Sequence, residues 1–207
     1  MTREKYNTLY TIGHSNHKID DFIGLLRAHE ISCIADVRSA PYSRYCPQFN
    51  QDQIALALRA ADIQYIYLGD KLGARPANAH CCDGKRVDFE CLAKTEEFKS
   101  GLARLIEAAS KNRLALMCAE KEPLQCHRSI LICRHLRPHA LSIKHILADG
   151  TIEDHTDAER RLIKMLKIEP NLFEQEKTQA DLIEQAYDKQ AAIISHDIES
   201  EVATTQD

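Results

Sequence analysis

The tripeptide Cys126-His127-Arg128 combines a thiol, an imidazole and a guanidinium at the predicted start of a helix. Backbone N–H groups at a helix N-terminus and neighbouring positive charges lower the pKa of a thiol and favour the reactive thiolate. We therefore expect Cys126 to act in catalysis as a nucleophile or an acid–base group. His127 and Arg128 are expected to contact the substrate.

Three more residues suited to acid–base chemistry follow other predicted strands, namely His14, Asp36 and Glu120. His14 is an alternative nucleophile or acid–base group. The two carboxylates are candidate general bases, or partners that orient His14 or an arginine. Because loops that leave the carboxyl ends of parallel strands converge, we predict that these three residues and Cys126 form the catalytic part of one site.

Arginines are frequent in the same loops, and this favours an anionic ligand. The planar guanidinium suits phosphate or carboxylate, and a helix N-terminus supplies further donors. The spacing of Cys126 and Arg128 differs from the Cys-x5-Arg loop of phosphatases and rhodanese-like enzymes, so neither chemistry is inferred. We expect an enzyme of the transferase or hydrolase type that binds a small phosphorylated or nucleotide-like substrate. The predicted substrate-binding residues are Ser15, Arg38, Ser43, Arg75, His127 and Arg128.

A zinc site is the first alternative. Cys118, Cys126 and His127 offer the mixed sulfur and nitrogen ligands that zinc accepts. His14 or Glu120 would add a fourth ligand from a neighbouring loop. The spacing of the two cysteines is unlike the Cys-x2–4-Cys pattern of zinc fingers, so the ligands would have to converge from separate loops.

A non-catalytic module that binds a nucleotide or nucleic acid is the second alternative. Residues 1–150 hold 21 Lys and Arg against 17 Asp and Glu, whereas residues 151–207 hold 6 against 14. This modest basic excess argues against a general DNA-binding protein. A local patch is still compatible with the sequence, because residues suited to stacking on bases occur together at Tyr42, Arg44, Tyr45 and Phe49.

The chain is expected to be cytoplasmic. Its first ten residues, MTREKYNTLY, lack the apolar segment of a signal peptide, and no stretch is apolar enough for a membrane span. Eight cysteines occur in the 207 residues. In a reducing compartment, metal-binding, catalytic or plain buried thiols are favoured over a disulfide framework.

Short apolar runs alternate with helical patterns over the first 150 residues, which predicts an α/β fold with a mainly parallel five-stranded sheet and helices on both faces. Asp149-Gly150 is typical of a two-residue turn and predicts a terminal antiparallel hairpin strand over 151–155. The five predicted strands cover 9–13, 33–37, 64–68, 114–119 and 143–148.

Three regions are predicted along the chain: an α/β domain with the site over 1–155, a helical extension over 156–195, and a disordered polar tail over 196–207. In the extension, Asn171 with Glu174 predicts the start of a second helix. Its apolar stripe consists of Ile183, Tyr187, Ala191 and Ile194. This stripe is expected to pack on the domain, and a homodimer through these helices is the alternative.

The motifs together resemble those of domain-of-unknown-function family 488 over about residues 8–155. The resemblance implies a compact α/β domain whose signature residues surround one pocket, and it implies no particular reaction. The residues that carry it are Thr11-Ile12-Gly13-His14-Ser15, Asp36-Val37-Arg38 with Pro41 and Ser43, Leu68-Gly69, Cys118-Ala119-Glu120, Cys126-His127-Arg128 and the segment from His145 to His155.

Overall fold

A mostly parallel sheet with helices on both faces forms the body of the protein. The computed structural model describes residues 7–75, 81–83, 86–169 and 178–203. The strands are β1 (Thr8–Gly13), β2 (Cys33–Asp36), β3 (Gln64–Tyr67), β4 (Cys82–Asp83), β5 (Arg86–Val87), β6 (Leu114–Cys118), β7 (Ser142–Ile146) and β8 (Ile152–Asp154). The helices are α1 (Ile19–Ala28), α2 (Gln51–Ala60), α3 (Gly69–Leu72), α4 (Phe89–Lys94), α5 (Glu96–Lys111), α6 (Arg134–Leu136), α7 (His155–Met165) and α8 (Gln179–Ala203).

Six strands form one sheet in the order β3-β2-β6-β1-β7-β8. The first five run parallel, and β8 is antiparallel to β7. The predicted α/β class is therefore confirmed. The sheet has six strands rather than five, because the hairpin strand after Asp149-Gly150 joins its edge.

Successive strand residues alternate between two apolar cores, one on each face of the sheet. Tyr10 and Ile12 of β1 pack in one core with Phe22 of α1. Leu9 belongs to the other core, together with Leu105 of α5. Burial on both faces explains why every residue of β6 is buried and apolar. Each large apolar side chain buried in this way contributes roughly 1.5–3 kcal/mol.

The chain leaves neighbouring strands toward opposite faces. After β1 it enters α1, whose Phe22 lies in one core, whereas after β6 it enters a π-helical segment (Arg128–Cys133), whose Ile130 lies in the other. Such a reversal opens a crevice at the carboxyl ends of the strands, which is where ligands bind in parallel α/β sheets.

A side chain caps the start of α5 but not the start of α2. Thr95 caps α5, because its hydroxyl oxygen accepts a hydrogen bond from the backbone N–H of Phe98 at 3.2 Å. Asn50 lies at the start of α2 but makes no side-chain cap there. Its Oδ1 instead accepts a hydrogen bond from the backbone N–H of Ser43 at 2.7 Å, which ties the preceding loop to the helix.

The segment between β3 and α5 contains structure that the sequence analysis left undefined, including α3, the β4–β5 hairpin and α4. Cys81 and Cys91 form a disulfide there, with their Cα atoms 5.4 Å apart. The expectation of free thiols is therefore wrong for this pair. The hairpin brings the two cysteines together, as Asp88 at the start of α4 donates its N–H to the backbone oxygen of Cys81. The other six cysteines are free.

Two helices follow the sheet. Helix α7 begins at His155, where the sequence places the domain boundary, and α8 packs against it. The stripe residues Ile183, Tyr187 and Ile194 are buried within the same chain. Helix α8 continues past the predicted start of the tail at 196 and ends at Ala203, while 204–207 and the predicted helix start at Asn171 lie outside the described residues. In the described ranges, no helix has both the length and the apolar character needed to span a membrane.

Candidate functional site

The site is built where β1, β2 and β6 end. Gly13, the last residue of β1, pairs in register with Cys118, the last residue of β6. The chain after β6 passes so close to Gly13 that a Cβ atom there would lie 1.9 Å from the backbone oxygen of Glu120. Only glycine allows this approach, which holds Glu120 over the end of the sheet.

Four side chains converge above this end of the sheet: Cys118, Glu120, Cys126 and His127. Their sulfur, oxygen and nitrogen atoms all lie within 4.8 Å of one another. The Nδ1 atom of His127 is 3.6 Å from the sulfur of Cys118 and 3.9 Å from the sulfur of Cys126. The sulfur of Cys126 is 2.9 Å from Oε2 of Glu120. We call these four residues the thiol cluster.

The orientation of the His127 ring is fixed from outside the cluster. Its Nε2 atom lies 3.0 Å from the backbone oxygen of Val37, just after β2, so this nitrogen carries a proton and donates it. In the neutral form of the ring, the lone pair of Nδ1 faces the two sulfur atoms. This arrangement suits both acceptance of a thiol proton and metal ligation.

Cys126 lies two residues before the π-helical segment that begins at Arg128, close to the helix start predicted from sequence. Its sulfur accepts a hydrogen bond from the backbone N–H of Arg128 at 3.4 Å. Burial alone would raise the pKa of Cys126, but the hydrogen bond from Cys118 and the positive charge of Arg128 outweigh burial and hold that pKa well below its usual value. Burial raises the pKa of Cys118 well above its usual value, so Cys126 is the thiol of the pair that more readily loses its proton and becomes a thiolate.

Glu120 shares a proton with this thiolate. Burial and the neighbouring charge of Cys126 raise the pKa of Glu120. Two anions could not lie 2.9 Å apart, so one proton sits between the sulfur and Oε2. Burial lowers the pKa of His127, but its hydrogen bond to Cys126 and the charge of that thiolate reverse this effect and raise it.

Arg128, predicted to contact the substrate, is fully buried and faces the protein instead. Its Nη1 donates to the backbone oxygen of Glu120 at 2.6 Å, and its Nη2 donates to that of Lys121 at 3.2 Å. Nε has no hydrogen-bond partner among the described residues. Arg128 therefore secures the loop that carries Glu120 and adds positive charge beside Cys126.

Asp36, predicted as a general base or as a partner that orients His14 or an arginine, holds Arg38 in place. Its two carboxylate oxygens accept hydrogen bonds from Nε and Nη2 of Arg38 at 2.9 and 2.6 Å. The hydroxyl of Tyr65 donates to the same carboxylate at 2.8 Å. Asp36 is completely buried, so it orients Arg38 rather than facing a ligand.

His14 is held neutral behind Arg38. Its Nδ1 donates to the backbone oxygen of Ser15 at 2.8 Å, and its Nε2 accepts from Nη1 of Arg38 at 3.1 Å. Burial, followed by the charge of Arg38, lowers the pKa of His14 to about 4. The ring also stacks on Phe49, with the ring centroids 4.2 Å apart. Phe49 is completely buried, so it does not join the base-stacking patch predicted from sequence.

A pocket of about 310 Å³ lies at the carboxyl ends of the strands, as predicted. It brings together two arginines, three members of the thiol cluster, and a residue from the C-terminal helix α8. The lining residues are Arg38, Ser39, Ala40, Ala74, Arg75, Cys118, Ala119, Glu120, Gln125, His127 and Ile194.

Six predicted site residues do not line this pocket: His14, Asp36 and Arg128, described above, and Ser15, Ser43 and Cys126. Ser15 has a left-handed backbone with φ 47° and turns the chain after β1. The hydroxyl oxygen of Ser43 accepts hydrogen bonds from the backbone N–H groups of Tyr45 and Cys46 within its own loop. Cys126 belongs to the cluster but lies behind the lining residues, with an exposed fraction of 1%.

Sequence reasoning missed six lining residues: three alanines (Ala40, Ala74 and Ala119), Gln125, Ser39 and Ile194. Gln125 directly precedes the Cys126-His127-Arg128 motif, and this position in the sequence could have indicated that it lines the pocket. Ser39 follows Arg38 in the same way. Ile194 belongs to the predicted apolar stripe, but nothing in its local sequence points to the pocket.

Comparison with known proteins supports the resemblance in the motifs. A family model described as "Domain of unknown function DUF488" matches residues 18–134, which contain the whole thiol cluster. No curated protein matches the chain, and no solved structure matches it. The motif residues before Lys18 and after Arg134 lie outside the matched range. The chain belongs to the DUF488 family.

Proposed function

We propose that this protein is an enzyme of the transferase or hydrolase type that acts on a small phosphorylated or nucleotide-like anion. One observation carries the proposal. Two arginines line the same pocket as a thiol, a carboxylic acid and an imidazole, namely Cys118, Glu120 and His127. The arginines supply anion binding, and the other groups supply proton transfer, nucleophilic attack or metal ligation next to it.

Arg38 is suited to hold the anion because its orientation is already fixed. A guanidinium has five N–H donors, and three of them are used by Asp36 and His14. One N–H on Nη1 and one on Nη2 remain for a ligand. Since Asp36 locks the side chain, binding costs little rotamer entropy.

Arg75 is attached to the loop that follows Arg38. Its backbone N–H donates to the hydroxyl oxygen of Ser39 at 2.9 Å, and all three residues line the pocket. The hydroxyl of Tyr67 donates to the backbone oxygen of Ser39 at 3.2 Å. The two arginines are therefore held at the same pocket by a braced loop, which favours one anionic group contacting both.

The position of Cys126 favours an indirect role for its sulfur. The thiolate is covered by the residues that line the pocket, so a ligand in the pocket meets Cys118, Glu120 or His127 first. Cys126 thus acts through these neighbours, by fixing their protonation or by sharing a bound ion with them.

Calorimetric titration with inorganic phosphate and with adenosine monophosphate tests the anion site. We expect Arg75→Ala to weaken binding about 10- to 100-fold, the effect of removing one charge-assisted hydrogen bond. Arg59→Ala is the matched control, because Arg59 is exposed at the end of α2. Absence of binding to the unmodified protein, or equal affinity in Arg75→Ala, would reject the proposal.

Exposed aromatic residues favour a second candidate function, the binding of single-stranded nucleic acid. Tyr42 and Tyr45 are 72% and 84% exposed and flank Arg44 in sequence. Aromatic faces next to a positive charge can stack on bases. Titration with a short oligonucleotide should quench tyrosine fluorescence, and Tyr45→Ala should weaken binding. No affinity at low salt would exclude this candidate.

A further inference from the structure

We propose that the thiol cluster binds one Zn²⁺ ion at the floor of the pocket, with Cys118, Glu120, Cys126 and His127 as ligands. The inference that the ion binds is based on the geometry of the cluster alone. Its participation in a reaction rests on the proposed function.

The ligand atoms have the identity and spacing of a zinc site. Two sulfurs, one imidazole nitrogen and one carboxylate oxygen are all accepted ligands of zinc. At ordinary Zn–S and Zn–N bond lengths, tetrahedral geometry separates a sulfur from a nitrogen ligand by about 3.6 Å. Nδ1 of His127 lies 3.6 and 3.9 Å from the sulfurs of Cys118 and Cys126. The cluster is therefore already close to the required size.

The contact between Cys126 and Glu120 must lengthen when zinc binds. At 2.9 Å it is shorter than the separation of two ligands on one zinc ion, because a shared proton occupies the space between them. Zinc displaces protons from its ligands. A small rotation of the Glu120 side chain then separates the two atoms, and Glu120 is the only one of the four that is not fully buried.

The surroundings of His127 match those of a metal ligand. Ligating histidines commonly donate their second ring N–H to a backbone carbonyl or a carboxylate, which fixes the tautomer and aims the lone pair. Nε2 of His127 makes this hydrogen bond to the backbone oxygen of Val37. The free lone pair of Nδ1 consequently points at the centre of the cluster.

The backbone holds all four ligands before any ion arrives. Cys118 ends β6, and Cys126 and His127 start the helical segment. Glu120 lies between them, in the loop that Arg128 secures through two backbone oxygens. A divalent cation would also neutralise acidic groups that are otherwise withdrawn from water.

The location of the cluster suits an exchangeable ion. Cys118, Glu120 and His127 line the pocket that also contains Arg38 and Arg75. Cys118, Cys126 and His127 form the buried part of the set, and Glu120 lies on its partly exposed side. Catalytic zinc sites keep three protein ligands and one exchangeable position, and zinc there polarises a substrate oxygen or activates water.

The full-length protein, kept reduced and freed of metal with a chelator, is titrated with Zn²⁺ in competition with a chromophoric chelator, and separately with Co²⁺. We expect one ion per chain and a thiolate-to-cobalt absorption band. Cys126→Ser and His127→Gln should each abolish stoichiometric uptake. Cys46→Ser and Cys91→Ser are matched controls outside the cluster and should bind as the unmodified protein does.

A second measurement needs no variant. Zinc should protect Cys118 and Cys126 from iodoacetamide in the unmodified protein and leave labelling of Cys46 unchanged. Failure to bind zinc, no protection, or uptake that persists in folded Cys126→Ser and His127→Gln would overturn the inference. Zinc uptake without phosphate or nucleotide binding would leave the zinc site standing and reject the proposed function. Anion binding without zinc uptake would reject the zinc site and leave the proposed function standing.

Discussion

The guanidinium of Arg128 donates a hydrogen bond to the backbone oxygen of Glu120 at 2.6 Å, while the side chain of Glu120 contacts Cys126. Arg128 therefore fixes the position of the Glu120 backbone, and with it the side chain that contacts Cys126. Among the described residues, the guanidinium of this buried arginine donates to the backbone oxygens of Glu120 and Lys121 and to no carboxylate.

Replacing this arginine should cost considerable stability. Arg128→Met leaves two backbone oxygens without donors in a buried place, and we expect the free energy of unfolding to fall by about 2–4 kcal/mol. Urea denaturation followed by circular dichroism measures the change. Arg104→Met, at an exposed position of α5, should change stability by less than about 0.5 kcal/mol. Equal effects in the two variants would contradict the role given to Arg128.

Gly13→Ala should disturb the thiol cluster through the backbone. The new Cβ would lie 1.9 Å from the oxygen of Glu120, so either β1 or the Glu120 loop must move. We expect a loss of at least about 1–3 kcal/mol in unfolding free energy and weaker zinc uptake. Gly24→Ala is the control, because nothing lies within 4 Å of its added Cβ in α1. That substitution should stabilise the protein by about 0.5–1 kcal/mol. If Gly13→Ala leaves the unfolding free energy unchanged, the loop that carries Glu120 is free to move.

Tyr187→Phe should loosen α8. The hydroxyl of Tyr187 donates to Glu159 at 2.8 Å and lies 2.9 Å from Nε2 of His155, both on α7. Because Tyr187 is completely buried, loss of its hydroxyl removes the hydrogen bonds to His155 and to Glu159, although Glu159 keeps its ion pair with Arg137, and we expect about 1–3 kcal/mol of destabilisation. Limited proteolysis should cleave the C-terminal segment faster in this variant. Tyr45→Phe alters an exposed side chain and should be cleaved at the rate of the unmodified protein. If Tyr187→Phe is also cleaved at that rate, the Tyr187 hydroxyl does not hold α8 on α7.

Acid should destabilise the folded protein through its buried histidines. Burial, then the charge of Arg137, lowers the pKa of His155 to about 4, and burial lowers that of His145 well below its usual value. His155 also faces Glu159 on its own helix and Tyr187 on α8. From pH 6.5 down to about 4 the unfolded chain binds protons that the folded chain does not, so unfolding free energy falls by at most roughly 3 kcal/mol per histidine.

Urea titrations at several pH values over this range measure the slope of stability against pH. His14, with its pKa also near 4, contributes in the same direction. His155→Gln removes one of these groups, so its stability should depend less steeply on pH than that of the unmodified protein. Equal slopes would show that His155 is not held neutral in the folded state.

The sequence was sufficient to predict the sheet because its strands are short apolar runs with a clear direction. β6 is buried along its whole length, and an uninterrupted apolar segment between two helical patterns has few other interpretations. Cys118, Glu120 and His127 meet at one pocket because all three lie at or just after the carboxyl end of β6, in the connection that leads to the π-helical segment.

What the sequence could not supply is how each polar group is satisfied. Asp36 and Arg128 have residue types suited to catalysis and substrate binding, but hydrogen bonds to Arg38 and to backbone oxygens occupy them. Those partners depend on distances of a few ångströms that spacing along the chain does not encode. The Cys81–Cys91 disulfide was missed for the same reason, because a hairpin without a strong sequence signal brings its two halves together.

Ile194 places one wall of the pocket outside the segment that defines the family. The family model ends at Arg134, whereas this wall comes from α8, near the end of the described chain. Two proteins can therefore share every residue of the thiol cluster and still differ in the width and polarity of the pocket. The C-terminal helix can thus change the shape of this pocket independently of residues 18–134.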